Sequence, residues 1–243
     1  MTEHEKHIVT AFDRDLEGIQ AQIMKMGGLV EEAILGAATS LETRDEELAQ
    51  KIRAGDKAID ALEESLNEEA ARVLALRAPA ASDLRIVLSV MRMSANLERI
   101  GDMAKNMAKR TTVLVQMQPI GSTTTALRRM SRDVQLMLKD ALDAYIQRDE
   151  ALALDVIERD RDIDQMYNTL FREFLTFMME DPRNITACMH LHFIAKNVER
   201  MGDHVTSIAE QVVFLTSGKK PGDVRVKADR TSTDVSLSPT TEG

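Results

Sequence analysis

The chain has 243 residues, 44% of them hydrophobic, which is enough to bury one large core or two small ones and excludes disorder for most of its length. A net charge of −9 with no concentrated basic face would repel a phosphate backbone, which argues against direct nucleic-acid binding, and a single cysteine, Cys188, rules out an internal disulfide framework or a cysteine-based zinc site. No apolar run reaches the roughly 20 residues that span a bilayer, and the charged start Met1-Thr2-Glu3-His4-Glu5-Lys6 is not a secretory signal; the expectation is a soluble cytoplasmic protein that meets a membrane only through partners.

Aromatic residues make up 3% of the chain and Trp is absent, the composition of helices packed on helices. The first helical stripe is Phe12, Leu16, Ile19, Ile23, Met26, Val30, Ile34, Ala37 and Leu41. The second is Leu48, Ile52, Ile59, Leu62, Leu66, Ala70 and Val73, ended by Ala78-Pro79-Ala80. Ser82 or Asp83 is placed to cap a third helix of more than about 30 residues, with Ile86, Val90, Met93, Leu97, Ile100, Ala104, Met107, Thr111 and Leu114 inward.

After Pro119-Ile120-Gly121 the order of events repeats. A fourth helix carries Leu127, Met130, Val134, Met137, Ala141 and Tyr145. Arg44-Asp45-Glu46 recurs as Arg148-Asp149-Glu150, and the proline break recurs at Asp181-Pro182-Arg183. Asn96-Leu97-Glu98-Arg99-Ile100-Gly101-Asp102 recurs as Asn197-Val198-Glu199-Arg200-Met201-Gly202-Asp203, five of seven positions identical at an offset of 101. This is internal duplication. The fold class is therefore all-α: two tandem three-helix bundles, residues 1–118 and 119–216, six helices related by an approximate two-fold axis, and a polar tail, 217–243, expected to be disordered.

Four acidic pairs stand at i, i+4 in equivalent places: Asp56/Asp60, Glu98/Asp102, Asp160/Asp164 and Glu199/Asp203. That spacing puts both carboxylates of a pair on one face, where like charges repel. Turning about 100° per residue from the core stripe places Glu98 and Asp102 opposite it and Asp56 and Asp60 on a flank, so the carboxylates are expected outside the bundle. If the second and third helices of a repeat are antiparallel neighbours, four carboxylates converge and call for a cation. All-oxygen ligation suits Mg, Ca, Mn or oxidised iron. A solvated acidic surface is the plain alternative. Gly101 and Gly202 in mid-helix suggest a close approach by a neighbouring helix or an ion, or else are twins from the duplication. Arg99 and Arg200 read as surface ion pairs before they read as neutralisers of the neighbouring carboxylates, and His190, His192 and His204 as packing or surface residues. Leu84, Val87, Leu88, Met91 and Ala95, repeated as Ile185, Cys188, Met189, His192 and Ala195, form a second apolar strip, so these helices are covered on both sides by the other repeat or by a second subunit.

No P-loop, dinucleotide fingerprint, Gly-x-Ser-x-Gly elbow or Glu-x-x-His pair is present, so an enzyme is not expected. On residues alone an oxygen-ligated metalloenzyme and a metal-free helical scaffold stay open beside a regulatory adaptor.

The duplicated unit, with Asn-x-Glu-Arg-x-Gly-Asp on its third helix, Asp-x-x-x-Asp on its second and Asp83-Leu84-Arg85 after the proline break, resembles the PhoU family of phosphate-uptake regulators over about residues 5 to 216. The resemblance implies a cytoplasmic, homodimeric negative regulator of phosphate uptake and phosphate-starvation signalling. It implies two partners, the ATPase subunit of the phosphate ABC transporter and a sensor histidine kinase. It also implies metal binding, iron first and Mg, Mn, Ca or Zn besides, by Asp56, Asp60, Glu98 and Asp102 in one repeat and Asp160, Asp164, Glu199 and Asp203 in the other. The second repeat has Asn184-Ile185-Thr186 in place of Asp83-Leu84-Arg85, and Ser207 in place of Asn106, so the two sites are expected to differ.

Overall fold

The computed structural model describes residues 3–77 and 81–219, with side chains from Arg14 onward except those of residues 77, 81 and 82. The expectations for Phe12 and for the tail beyond Lys219 fall outside the described residues. The helices are α1 (Glu3–Thr43), α2 (Glu46–Arg77), α3 (Ala81–Leu114), α4 (Thr123–Gln147), α5 (Glu150–Glu180) and α6 (Ile185–Ser217), the last preceded by a 3-10 turn at Pro182–Asn184. No strand occurs among the described residues.

The repeated Arg-Asp-Glu triplet is the hinge between the first and second helix of each half. Arg44 and Arg148 lie in the left-handed region, with φ of 57° and 55°, a conformation that normally favours glycine. The next residue then caps the following helix: Asp45 accepts from the Leu48 amide at 2.9 Å and Asp149 from the Leu152 amide at 3.0 Å. Arg44 has further work. Its guanidinium donates to the carbonyls of Leu114, Val115 and Met117, satisfying acceptors that the end of α3 leaves open. Arg148 lies over the Tyr145 ring, 5.3 Å from its centroid.

Helix α3 starts at Ala81, which corrects the cap expected at Ser82 or Asp83. Both residues sit inside the first turn, where the Asp83 carboxylate complements the positive end of the helix dipole. At the other end of the second half, α6 includes Ser217 and stops at Gly218, whose φ of 72° ends the helix in the left-handed conformation.

The two halves share one core. Helix α1 packs on α2, α3 and α4; α6 packs on α3, α4 and α5; and α3 joins α6 across the repeat boundary. The α3–α6 pair is antiparallel, because Arg110 meets His190 at 3.3 Å near one end while Asn96 meets His204 at 2.8 Å nearer the middle. The expected stripes line the interior, with Ile23, Val30, Ile34, Val90, Leu97, Val134, Ile194 and Val205 fully inaccessible. Burying each such side chain contributes about 1.5–3 kcal/mol, so propensity is the lesser part of helix stability here. The second apolar strip, expected to be covered, is covered only in part: Val87, Cys188 and Ala195 are buried, and burial raises the Cys188 thiol pKa, whereas Leu84, Leu88, Ala95, Ile185 and Met189 are exposed.

Replacing Arg148 by Gly removes left-handed strain and one ring contact, so stability should stay within about 1 kcal/mol of wild type. Arg44→Gly also strips three carbonyls of their charged donor and should cost about 2 kcal/mol. Urea unfolding of both variants checks the difference.

Candidate carboxylate sites

The third helix of each repeat presents its Glu-Arg-x-Gly-Asp block to the second helix, and the glycine sets how closely they meet. A Cβ on Gly101 would stand 3.0 Å from Ile59 Cδ1 and 3.6 Å from Asp56 Oδ1; one on Gly202 would stand 3.0 Å from Asp160 Oδ1 and 3.4 Å from Ile163 Cγ2. Here the mid-helix glycines serve a helix contact. They let an aspartate of α2 or α5 lie against the backbone of α3 or α6.

That approach corrects the expectation of outside carboxylates. Asp56, Asp160, Asp164 and Glu199 are buried, Glu98, Asp102 and Asp203 are half-buried, and Asp60 is exposed. The flank of α3 or α6 that bears the acidic block is occupied by α2 or α5, because each of these helices touches three others. A wheel of one helix separates core from non-core and leaves open whether the non-core side faces water or another helix.

In the first repeat Asp56 of α2 and Asp102 of α3 face each other, with Asp60 and Glu98 near enough to feel their charge. Lys105 Nζ bridges them, 2.5 Å from Asp56 Oδ2 and 2.9 Å from Asp102 Oδ1. These two partners hold the ammonium pKa above its ordinary value, so Lys105 stays charged through neutral pH. Desolvation and then Asp102 push the Glu98 pKa up, with Glu63 adding and Arg99 opposing. Desolvation, Asp56 and Asp102 push Asp60 up against the opposing Lys105. The cluster thus remains short of positive charge even with Lys105 in place. Asp56 Oδ1, buried beside Gly101, accepts no hydrogen bond. Arg99 is the surface residue expected, 3.5 Å from Glu98.

The second repeat is arranged differently. The position of Lys105 is taken by Thr206, whose hydroxyl donates to the Gly202 carbonyl at 3.0 Å. Its lysine is instead Lys196, where the first repeat has Ala95. Lys196 Nζ lies 2.9 Å from Glu199 Oε1 and 4.9 Å from the centroid of Tyr167. Tyr167 itself replaces Glu63 on the second helix. The two sites therefore differ, through this exchange of lysines and through Ser207, whose hydroxyl donates to the Asp203 carbonyl at 3.0 Å where the first repeat has Asn106. A signal was present in the sequence: an unmatched lysine three residues after Asp102 and another three before Glu199.

Oxygen donors short of positive charge, one of them an unbonded buried oxygen, fit a hard cation in chemistry. Their arrangement is closed by lysine, and among the described residues no three or more His, Cys, Asp or Glu side chains stand so as to hold an ion. The histidines pack as expected. His190 accepts from Arg110, and burial followed by that guanidinium holds its pKa down; His192 lies among Tyr167, Phe171 and Phe193; His204 meets Asn96.

The family model described as the PhoU domain matches twice, over residues 23–111 and 127–212, one match for each half and both spanning the acidic pairs. The chain belongs to the PhoU family. Among curated PhoU relatives, the phosphate-specific transport system accessory protein PhoU homolog of Caulobacter vibrioides is 43% identical over 224 residues, 92% of this chain and 97% of its own length. The homolog of the same name from Zymomonas mobilis is 48% identical over 214 residues, 88% and 90% of the two chains. The crystal structure of PhoU from Pseudomonas aeruginosa superposes with a TM-score of 0.83 at 39% identity, over 86% of this chain and 100% of that one. The phosphate transport system regulatory protein PhoU from Streptococcus pneumoniae gives 0.80 at 31% identity, over 86% and 99%.

Gly202→Leu should force α5 from α6 and cost about 3 kcal/mol or more, since the side chain has no room beside Asp160 and Ile163. Leucine at exposed, helical Gly18, where a Cβ meets nothing within 4 Å, should leave thermal stability unchanged or raise it.

Proposed function

We propose that this chain is the accessory regulator of a phosphate uptake system: a cytoplasmic homodimer that holds phosphate uptake and the phosphate-starvation response down. It acts by binding, without turnover, as an adaptor between the ATPase subunit of a phosphate ABC transporter and a sensor histidine kinase. The observation that carries this reading is the match to relatives named as phosphate-specific transport system accessory proteins, which includes both halves of this chain and nearly all of theirs. Among the described residues no helix is long and apolar enough to cross a membrane, which suits a protein that reaches the transporter by docking. Deleting the gene should raise phosphate uptake and expression of starvation genes several-fold in phosphate-rich medium, with restoration by the wild-type copy; unchanged expression after deletion would refute the reading.

The acidic seams support a second element of this function, cation binding. Asp56, Asp60, Glu98 and Asp102 would hold an ion in the first repeat, and Asp160, Asp164, Glu199 and Asp203 in the second, iron first among Mg, Mn, Ca and Zn. The ion would neutralise carboxylates crowded between two helices and clamp the seam. The residues of the chain already do part of this: Lys105 supplies one positive charge to Asp56 and Asp102, and Lys196 one to Glu199.

A metal-free scaffold is the other reading these lysines favour, and Lys105→Met separates the two. Removing the ammonium should cost about 1–2 kcal/mol at neutral pH in either case, discounted because Lys105 is 39% exposed. If a cation competes with the ammonium, the variant should also bind Mn about tenfold more tightly by calorimetry and recover its stability with added metal. No metal in purified protein of either kind, and no recovery, would leave the lysine-closed scaffold.

A further inference from the structure

We propose that the outer face of the α3–α6 pair is the docking surface for an acidic amphipathic helix of the transporter ATPase subunit; this rests on the transporter reading above. The pair is covered on one side by α1 and α4 and flanked by α2 and α5, and no described element packs on its remaining side. An axis that exchanges two antiparallel helices runs perpendicular to the plane holding them, so equivalent stripes on α3 and α6 emerge on the same face. Leu84 and Leu88 on α3, and Ile185, Met189 and Phe193 on α6, are exposed there although all five are large and apolar. They gather at opposite ends of the face because the helices run in opposite directions. Arg99 and Arg200 lie between them near the centre, both exposed, with Arg92 close to the leucine end.

Three properties separate this face from ordinary surface. Scattered apolar residues are common on any protein, whereas here two apolar groups repeat across a two-fold with a basic centre. The charge is also inverted: among the described residues the exposed ionisable side chains of α3 and α6 are Arg92, Arg99, Lys109 and Arg200, all basic, in a chain with 31 Lys and Arg against 40 Asp and Glu. Finally, Phe193 is 44% exposed yet already held in place, with the Arg110 guanidinium 4.4 Å from its centroid and the His192 ring 5.8 Å away. An anchor ordered before binding loses little entropy on binding, and aromatic and arginine side chains are the residues that most often dominate interface energy.

The occupant follows from charge. A second copy docked here about a two-fold would set Arg99 and Arg200 against their own equivalents and meet repulsion. A helix with apolar residues at both ends and acidic residues between them would match the apolar, basic, apolar order.

The test is binding of the purified ATPase subunit from the same organism to full-length protein, by calorimetry at roughly 50 and 300 mM NaCl. The expected result is wild-type binding that weakens with salt, and a loss of about tenfold or more in both Arg92→Glu/Arg200→Glu and Leu88→Ala/Phe193→Ala, each folded by circular dichroism. Arg129→Glu, on the exposed side of α4, should bind as wild type. Wild-type binding that neither pair of substitutions weakens, or that Arg129→Glu abolishes, would overturn the assignment of this face and leave the transporter reading standing. Absence of wild-type binding at both salts would overturn the transporter reading and this face together. A concentration-dependent dimer in sedimentation that Leu88→Ala/Phe193→Ala dissolves would give the face to a second copy and overturn the proposal.

Discussion

The contact between α3 and α6 is the constraint on which the rest of this structure depends. Each half is three helices around a stripe, and three helices leave much of a long stripe exposed. Joining the halves through α3 and α6, with α1 against α4 beneath, merges two small cores into one whose central residues are inaccessible. The join also gives α3 and α6 three neighbours each, so three sides of these helices must pack and the fourth faces outward. The polar contacts between them, Arg110 with His190 and Asn96 with His204, are not equivalent under the two-fold, which gives the two ends of the join different chemistry.

The acidic seams follow from the same crowding. With no Cβ at Gly101 or Gly202, the facing aspartate is drawn against backbone and away from water. Each repeat also places a lysine against its buried carboxylates, from opposite sides of the motif: Lys105 after the block meets Asp56 and Asp102 in one, and Lys196 before it meets Glu199 in the other. Duplication supplied the same carboxylates twice, and the lysines make the two sites chemically distinct. One is half-open and has Glu63 nearby; the other is drier, with Tyr167 at the equivalent position under the Lys196 ammonium.

Strain is placed with similar economy. The left-handed residue after the first helix of each half is arginine where glycine would cost less in backbone strain. At Arg44 the side chain repays this by closing the carboxyl end of α3, a contact 70 and more residues away in sequence that ties the hinge to the helix bearing the acidic block. At Arg148 the same conformation is kept with a ring contact alone, the residue of a shared origin.

Helical class, the number of helices, their order and the duplication were all legible in the sequence, because apolar spacing and a repeated seven-residue block are properties of the chain itself. The pairing of Asp56 and Asp60 with Glu98 and Asp102 was legible for the same reason, once two consecutive helices are taken as antiparallel. What the sequence could not decide is whether a non-core face meets water or another helix. Burial belongs to the arrangement of all six helices, so Asp160, Asp164 and Glu199 went inside where a single helical wheel put them outside. Tertiary structure alone brought Lys105 between Asp56 and Asp102, set Arg110 over Phe193, and left one face of α3 and α6 without a described neighbour. Each of these depends on distances between residues tens of positions apart, and such distances are set by packing.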